Sequence, residues 1–120
     1  MKLGSILLGA SMILATATFA QDEDRECLRM KKIANDAMSI GDYKEATTYF
    51  LRGEKLCGNY DAADYGRLTG SLMRLINAEP DVEVKKLYAD TICSIYDRMD
   101  GINLYDKKND MLRGYYQLQK

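Results

Sequence analysis

The amino-acid sequence predicts an all-α fold for the chain that follows its first twenty residues. Apolar residues recur at helical spacing through most of this part, and no stretch alternates cleanly between apolar and polar residues as a strand would. The β-branched residues are scattered rather than grouped. Because short connections join the predicted helices, successive helices should be antiparallel. We therefore expect residues 21–120 to form a row of helical hairpins.

The first predicted hairpin covers residues 24–57. Gly41 can adopt the positive φ that ends a helix, and Asp42 can cap the next helix by accepting backbone N–H bonds. Tyr43 then begins the second helix. The expected inner stripes are Cys27, Met30, Ile33, Ala34, Ala37 and Met38 in the first helix (24–39), and Ala46, Tyr49, Phe50, Gly53 and Leu56 in the second (43–56).

A second hairpin is predicted over residues 61–99, followed by a final helix over 106–118. We expect Pro80 to open the fourth helix, where its missing N–H costs nothing, and Gly101 to close it. The expected inner residues are Tyr65, Leu68, Leu72, Leu75 and Ile76 in the third helix, Val84, Leu87, Tyr88, Thr91, Ile92, Ile95, Tyr96 and Met99 in the fourth, and Met111, Leu112, Tyr115 and Leu118 in the last.

The first twenty residues, "MKLGSILLGASMILATATFA", have the pattern of a secretory signal peptide. One basic residue precedes an apolar run, and Thr18 and Ala20 are small residues at the −3 and −1 positions of a cleavage site. The alternative is an uncleaved membrane anchor, but the Ser and Thr content and the acidic "QDEDRE" that follows argue against it. We expect cleavage after Ala20 and a periplasmic or secreted protein with no membrane span after cleavage.

The spacing of two cysteines predicts a disulfide. Cys27 lies 15 residues before Asp42, at the hairpin turn, and Cys57 lies 15 residues after it. Residues equidistant from the turn of an antiparallel helix pair lie side by side, and an exported protein reaches a compartment that permits disulfides. The alternative is two separate buried thiols. Cys93 is left over and is expected to be a packed thiol.

Composition excludes several classes of function. The chain has 17 basic and 18 acidic residues, so neither a nucleic acid nor an anionic membrane is an expected partner. It has no histidine, which removes Ser-His-Asp and Cys-His catalysis and the usual zinc ligand. No phosphate-binding or calcium-binding loop is present. We expect no enzyme, no cofactor and no metal site. The alternative is an enzyme that uses carboxylates alone, but no pair of acids stands out.

The first hairpin resembles a tetratricopeptide repeat. Met30-x2-Ile33-Ala34-x2-Ala37 is followed after eight residues by Ala46-x3-Phe50, and "GDYKEATTYF" is similar to the usual turn and second helix of that family. The match covers one repeat, about 27–59, while 61–99 is degenerate. Positions where the family often has Trp, Gly, Tyr and Pro carry Met30, Ala34, Ala37 and Gly58, and the alternative is a helical bundle. The signature residues are Ile33, Ala34, Ala37, Gly41, Asp42, Tyr43, Ala46 and Phe50.

The resemblance implies a short solenoid of stacked hairpins, whose concave groove holds a protein or peptide partner. The chain would then be a protein–protein interaction scaffold or adaptor in a bacterial cell envelope. The groove candidates, on the first and third helices, are Arg29, Lys32, Asn35, Asp36, Arg67, Ser71 and Arg74. The alternative is a structural helical domain, or the N-terminal cap of a longer envelope repeat protein, with no ligand groove. A reading frame extending beyond Lys120 would favour that alternative.

Overall fold

The structure, a computed structural model, describes residues 24–120, and in this range the protein is all-α. The predicted signal peptide, residues 1–20, lies outside the described residues. No strand occurs between residues 24 and 120, which confirms the predicted fold class. The helices are α1 (24–39), α2 (Tyr43–Cys57), α3 (Ala62–Ala78), α4 (Val82–Gly101) and α5 (Asp110–Gln119), with a 3₁₀ turn at Lys107–Asn109 before α5.

The turn between α1 and α2 has the chemistry that its sequence suggests. Gly41 has φ 81°, a left-handed conformation that costs glycine little. The Asp42 carboxylate accepts the N–H of Glu45 at 3.1 Å, and the Asp42 N–H itself donates to the carbonyl of Ala37 at 2.9 Å. Asp42 therefore satisfies one carbonyl at the end of α1 and one N–H at the start of α2, and the chain reverses between the two helices.

The two ends of α4 differ from the prediction. Pro80 does not open the helix, because Asp81 is its N-cap and accepts the N–H of Glu83 at 2.9 Å. At the other end, Gly101 is still helical, and the left-handed residue is Asn103, with φ 61°. This later reversal lets the N–H of Leu104 donate to the carbonyl of Met99 at 2.8 Å, which satisfies one of the last carbonyls of α4.

A continuous apolar core joins the helices, and each helix from α2 onward packs against the next. Ala34 of α1 and Ala46 of α2 are fully buried, since small side chains allow close approach of the two helices. Phe50, Leu68 and Ile92 fill the centre from α2, α3 and α4. Two predicted inner residues, Leu56 and Leu87, are instead exposed, because at 3.6 residues per turn each lies well away from the buried stripe of its helix.

Cys27 and Cys57 lie at disulfide distance, with their Cα atoms 5.1 Å apart. The structure thus confirms that these two cysteines meet, and the pair joins α1 to the last residue of α2. Cys93 is buried on α4, and burial raises the pKa of its thiol. It is a packed thiol with little thiolate character.

The inner face of α5 is not the one that the periodicity indicates. Tyr116 is buried, with 3% of its surface exposed, whereas the predicted inner residues Met111, Leu112, Tyr115 and Leu118 are exposed, two of them to 88%. Arg113 forms an ion pair with Asp97 of α4, and its neighbours on the same face are Tyr116 and Lys120. α5 therefore packs on α4 through the face that carries Tyr116 and Arg113, and its apolar stripe faces outward.

Candidate functional site

α2 and α4 run side by side in the same direction. Arg98 donates from Nε and Nη2 to the two carboxylate oxygens of Glu54 at 2.9 and 2.7 Å, although the two residues are 44 positions apart. Lys44 and Tyr88, also 44 positions apart, line one cavity near the starts of the two helices. The parallel arrangement follows from the sequence of elements, because α3 reverses the chain between α2 and α4.

A groove lies between these two helices, because each packs against α3 and not closely against the other. A cavity of about 490 Å³ lies between the C-terminal halves of α2 and α4, and a smaller one of about 180 Å³ lies nearer their starts. Both are lined by Leu51 and Thr91, and we call the two cavities together the α2–α4 groove. From Lys44 to Gly58 it follows α2 for about 21 Å at 1.5 Å per residue. The short residues along it are Thr47, Thr48, Gly58, Thr91 and Ser94.

The groove has an apolar floor and a partly charged rim. Leu72 and Leu75 of α3 form the floor, with Leu51 and Tyr88 on the two walls. On the α2 side, Lys44 and Lys55 line the groove, and neither has an ion-pair partner within residues 24–120. On the α4 side, the carboxylate of Asp90 lies 3.9 Å from Nζ of Lys120. The unpaired charges of the lining are therefore positive.

A buried hydrogen-bond cluster holds the groove's two walls to α3. In addition to Arg98, Tyr65 of α3 donates its hydroxyl to Glu54 at 2.7 Å. Burial alone would raise the pKa of Glu54, but the bonds from Arg98 and Tyr65 outweigh it and hold that pKa below its ordinary value. Burial and the bond to Glu54 raise the pKa of Tyr65 to about 12. Glu54 is thus an ionised, fully engaged carboxylate, which suits a structural contact and not a proton-transfer group.

The partner-binding candidates from the sequence lie elsewhere. None of the seven lines the α2–α4 groove. Ser71 is fully buried and its hydroxyl donates to the carbonyl of Arg67 at 3.0 Å, so it is corrected to a core residue. The exposed candidates are Arg29, Lys32, Asp36, Arg67 and Arg74, with Asn35 half-buried.

Three of these candidates already have intramolecular contacts, and one of them is Arg29, which lies 3.4 Å from Glu26. Arg67 lies 3.2 Å from Asp64, which also pairs with Lys31 of α1 at 2.8 Å, and Arg74 lies over the ring of Tyr43. The α1–α3 surface is therefore charged but partly self-paired.

Sequence reasoning missed the residues that line the groove. A usable signal was present, because Thr47, Thr91 and Ser94 lie on or beside the inner stripes of α2 and α4, where larger apolar residues would close the gap. No group of three or more His, Cys, Asp or Glu residues occurs in the described range that could hold a metal ion. Nor is any helix in residues 24–120 long and apolar enough to span a membrane.

Comparison with known proteins does not assign the chain to a family. No family model, curated protein or solved structure matches it. The likeness to a tetratricopeptide repeat therefore rests on the residues of the first hairpin, and the solenoid arrangement stays a prediction.

Proposed function

We propose that this protein is an exported helical scaffold that binds a segment of another protein in a bacterial cell envelope. The observation that supports it best is the α2–α4 groove, which is open, about 21 Å long and lined by both apolar and polar side chains. Of the two carboxylates in its lining, Glu54 is committed to Arg98 and Tyr65, and Asp90 lies 3.9 Å from Nζ of Lys120. A groove of this kind is suited to recognition rather than to chemistry on a substrate.

Two observations support export. The first twenty residues have the pattern of a cleavable signal peptide. Cys27 and Cys57 lie at disulfide distance, and disulfides persist in the periplasm and outside the cell but rarely in the cytosol. A tetratricopeptide-like stack of hairpins is the arrangement that we propose for the described helices, since α1 contacts α3 through Lys31 and Asp64, and α2 contacts α4 through Glu54 and Arg98.

The proposal is tested by lysine-reactive cross-linking in intact cells, followed by mass spectrometry of every peptide joined to this chain. A scaffold should give reproducible links from Lys44 and Lys55 to one or a few other proteins. Lys32 and Lys107, which are exposed and distant in sequence from the groove lining, serve as internal controls. The same spectra report the N-terminal residue, which should be Gln21.

Links confined to the chain itself would contradict the scaffold proposal. Links to other proteins that start only from Lys32 would still support a scaffold, but they would indicate that its binding surface lies on α1. An intact N-terminus that keeps residues 1–20 would contradict export by signal cleavage.

The second candidate function is a structural helical domain, and the outer face of α5 favours it. Met111 and Leu118 are 88% exposed, and Tyr115 lies between them on the same face. A continuous apolar stripe of this kind on a terminal helix is what a further helical element would cover. Under this proposal, the wild type elutes from size-exclusion chromatography of envelope extracts in a complex with the protein that covers α5. The M111E/L118E variant should elute without that protein, whereas K44E/K55E should still elute with it. The opposite pattern favours the groove.

A further inference from the structure

We propose that the α2–α4 groove binds an acidic amphipathic helix of a partner protein. This inference rests on the proposed scaffold function and adds the chemistry of the partner. The shape of the groove favours a helical segment, its apolar lining favours an amphipathic one, and its charges favour an acidic one.

The walls of the groove favour a helix over an extended segment. α2 and α4 satisfy their backbone N–H and C=O groups internally, so neither offers the free edge that an added strand needs. A bound helix satisfies its own backbone and can lie lengthwise between two parallel helices. The length from Lys44 to Gly58, about 21 Å, accommodates about 14 helical residues.

The lining of the groove favours an amphipathic ligand. Leu51 and Thr91 lie where the two cavities meet, and Leu75 and Tyr88 are half-buried beside them. A ligand helix with apolar residues at i, i+3 or i+4, and i+7 would cover these side chains along one face. Its opposite face would remain in water.

The charges of the groove favour carboxylates on that ligand. Lys44 and Lys55 are eleven residues apart on α2, which is three helical turns or about 16 Å. Both are exposed, and neither has an ion-pair partner in the described chain. Arg98 uses only Nε and Nη2 for Glu54. The carboxylate of Asp90, which also lines the groove, is paired with Lys120. An acidic segment would therefore meet an unpaired lysine at each end of the groove, whereas a basic segment would be repelled by the same lysines.

The test uses the full mature protein and three synthetic 14-residue peptides, followed by NMR titration. One peptide has leucines at helical spacing and glutamates elsewhere, the second has lysines in place of the glutamates, and the third has the composition of the first in scrambled order. We expect the first to shift the resonances of Leu51, Thr91 and Ser94, and to bind more tightly than the other two. Higher salt should weaken it.

Charge variants then test the two lysines. K44Q and K55Q should each weaken binding of the acidic peptide about two- to five-fold, the range of an exposed ion pair. The matched single variants K32Q and K107Q, each of which removes one positive charge elsewhere, should leave it unchanged.

Equal binding by the lysine peptide overturns the acidic partner, and shifts confined to α1 and α3 overturn the groove. Failure of all three peptides to bind overturns the amphipathic helix as occupant. None of these outcomes affects the cross-linking result, which decides separately whether the protein is a scaffold.

Discussion

Replacing Arg98 by leucine tests whether the Glu54 cluster fixes α2 against α4. Leucine keeps part of the apolar stem of arginine and removes the guanidinium. The substitution deletes two hydrogen bonds to Glu54, at 2.9 and 2.7 Å, and leaves only the one from Tyr65. Because the Glu54 side chain is only 9% exposed, its carboxylate would then be poorly solvated and without a counterion.

The expected loss of stability is about 2 kcal/mol. Removing one partner of a fully buried ion pair costs about 3–5 kcal/mol. Here the Arg98 side chain is 44% exposed, so water already screens the pair and can replace part of what is lost. Halving the buried value gives about 2 kcal/mol, which corresponds to a fall in Tm of roughly 8–16 °C for a domain of this size.

Urea unfolding at several pH values is the assay. The pKa of Glu54 is below its ordinary value of 4.5 in the folded wild type, so its contribution is present above that pH and is lost as the pH falls through the folded pKa. Without Arg98, burial should raise the pKa of Glu54 instead. The difference between wild type and R98L should therefore be largest near pH 7 and shrink as the pH falls from 5 to 3. The control is R52L, whose arginine is exposed on the same helix as Glu54 and forms no ion pair with it.

The reasoning is refuted if R98L lowers the free energy of unfolding no more than R52L does at pH 7. It is also refuted if the loss caused by R98L is the same at pH 7 and at pH 3. The double variant E54Q/R98L should recover about 1 kcal/mol relative to R98L, because a buried neutral amide is less costly than a buried unpaired charge.

The remaining predictions concern the cysteines and α5. The C27S/C57S variant should lose roughly 3–4 kcal/mol in urea unfolding, the entropy estimate for a loop of 30 residues, and a loss below 1 kcal/mol would contradict a formed disulfide. Cys93 should resist iodoacetamide at pH 8 in the folded protein and react in urea, because burial raises its pKa; rapid labelling without urea would contradict this. Tyr116→Ala should lower the free energy of unfolding by about 3 kcal/mol or more, whereas Leu118→Glu should change it by less than about 0.5; the reverse order would mean that α5 presents its other face.

Local signals in the sequence predicted the first hairpin well. Gly41 and Asp42 have side-chain and backbone properties that determine a turn with little help from the rest of the chain. The meeting of Cys27 and Cys57 follows from the same local geometry, since both are equally distant from that turn.

Features that depend on tertiary contacts could not be predicted in this way. Tyr60, in the connection after α2, is buried and donates to the carbonyl of Phe50 at 2.5 Å, in a place where only the missing side chain of Gly53 leaves room. The orientation of α5 depends on its contacts with α4, where Tyr116 is buried and Arg113 pairs with Asp97, and the apolar periodicity of a short helix does not contain that information. The α2–α4 groove likewise depends on which residues 44 positions apart face each other, and periodicity within one helix does not contain that information.

Site-specific photo-cross-linking in intact cells tests the central claim most directly. A benzoylphenylalanine is placed at Ser94, which is exposed on the α4 wall of the groove, and in a second strain at Lys107, which is exposed in the 3₁₀ turn before α5. We predict that Ser94 captures a discrete protein, joined through an acidic helical segment, and that Lys107 does not. Capture of the same protein with equal yield at both positions, or at Lys107 alone, would contradict a binding site between α2 and α4.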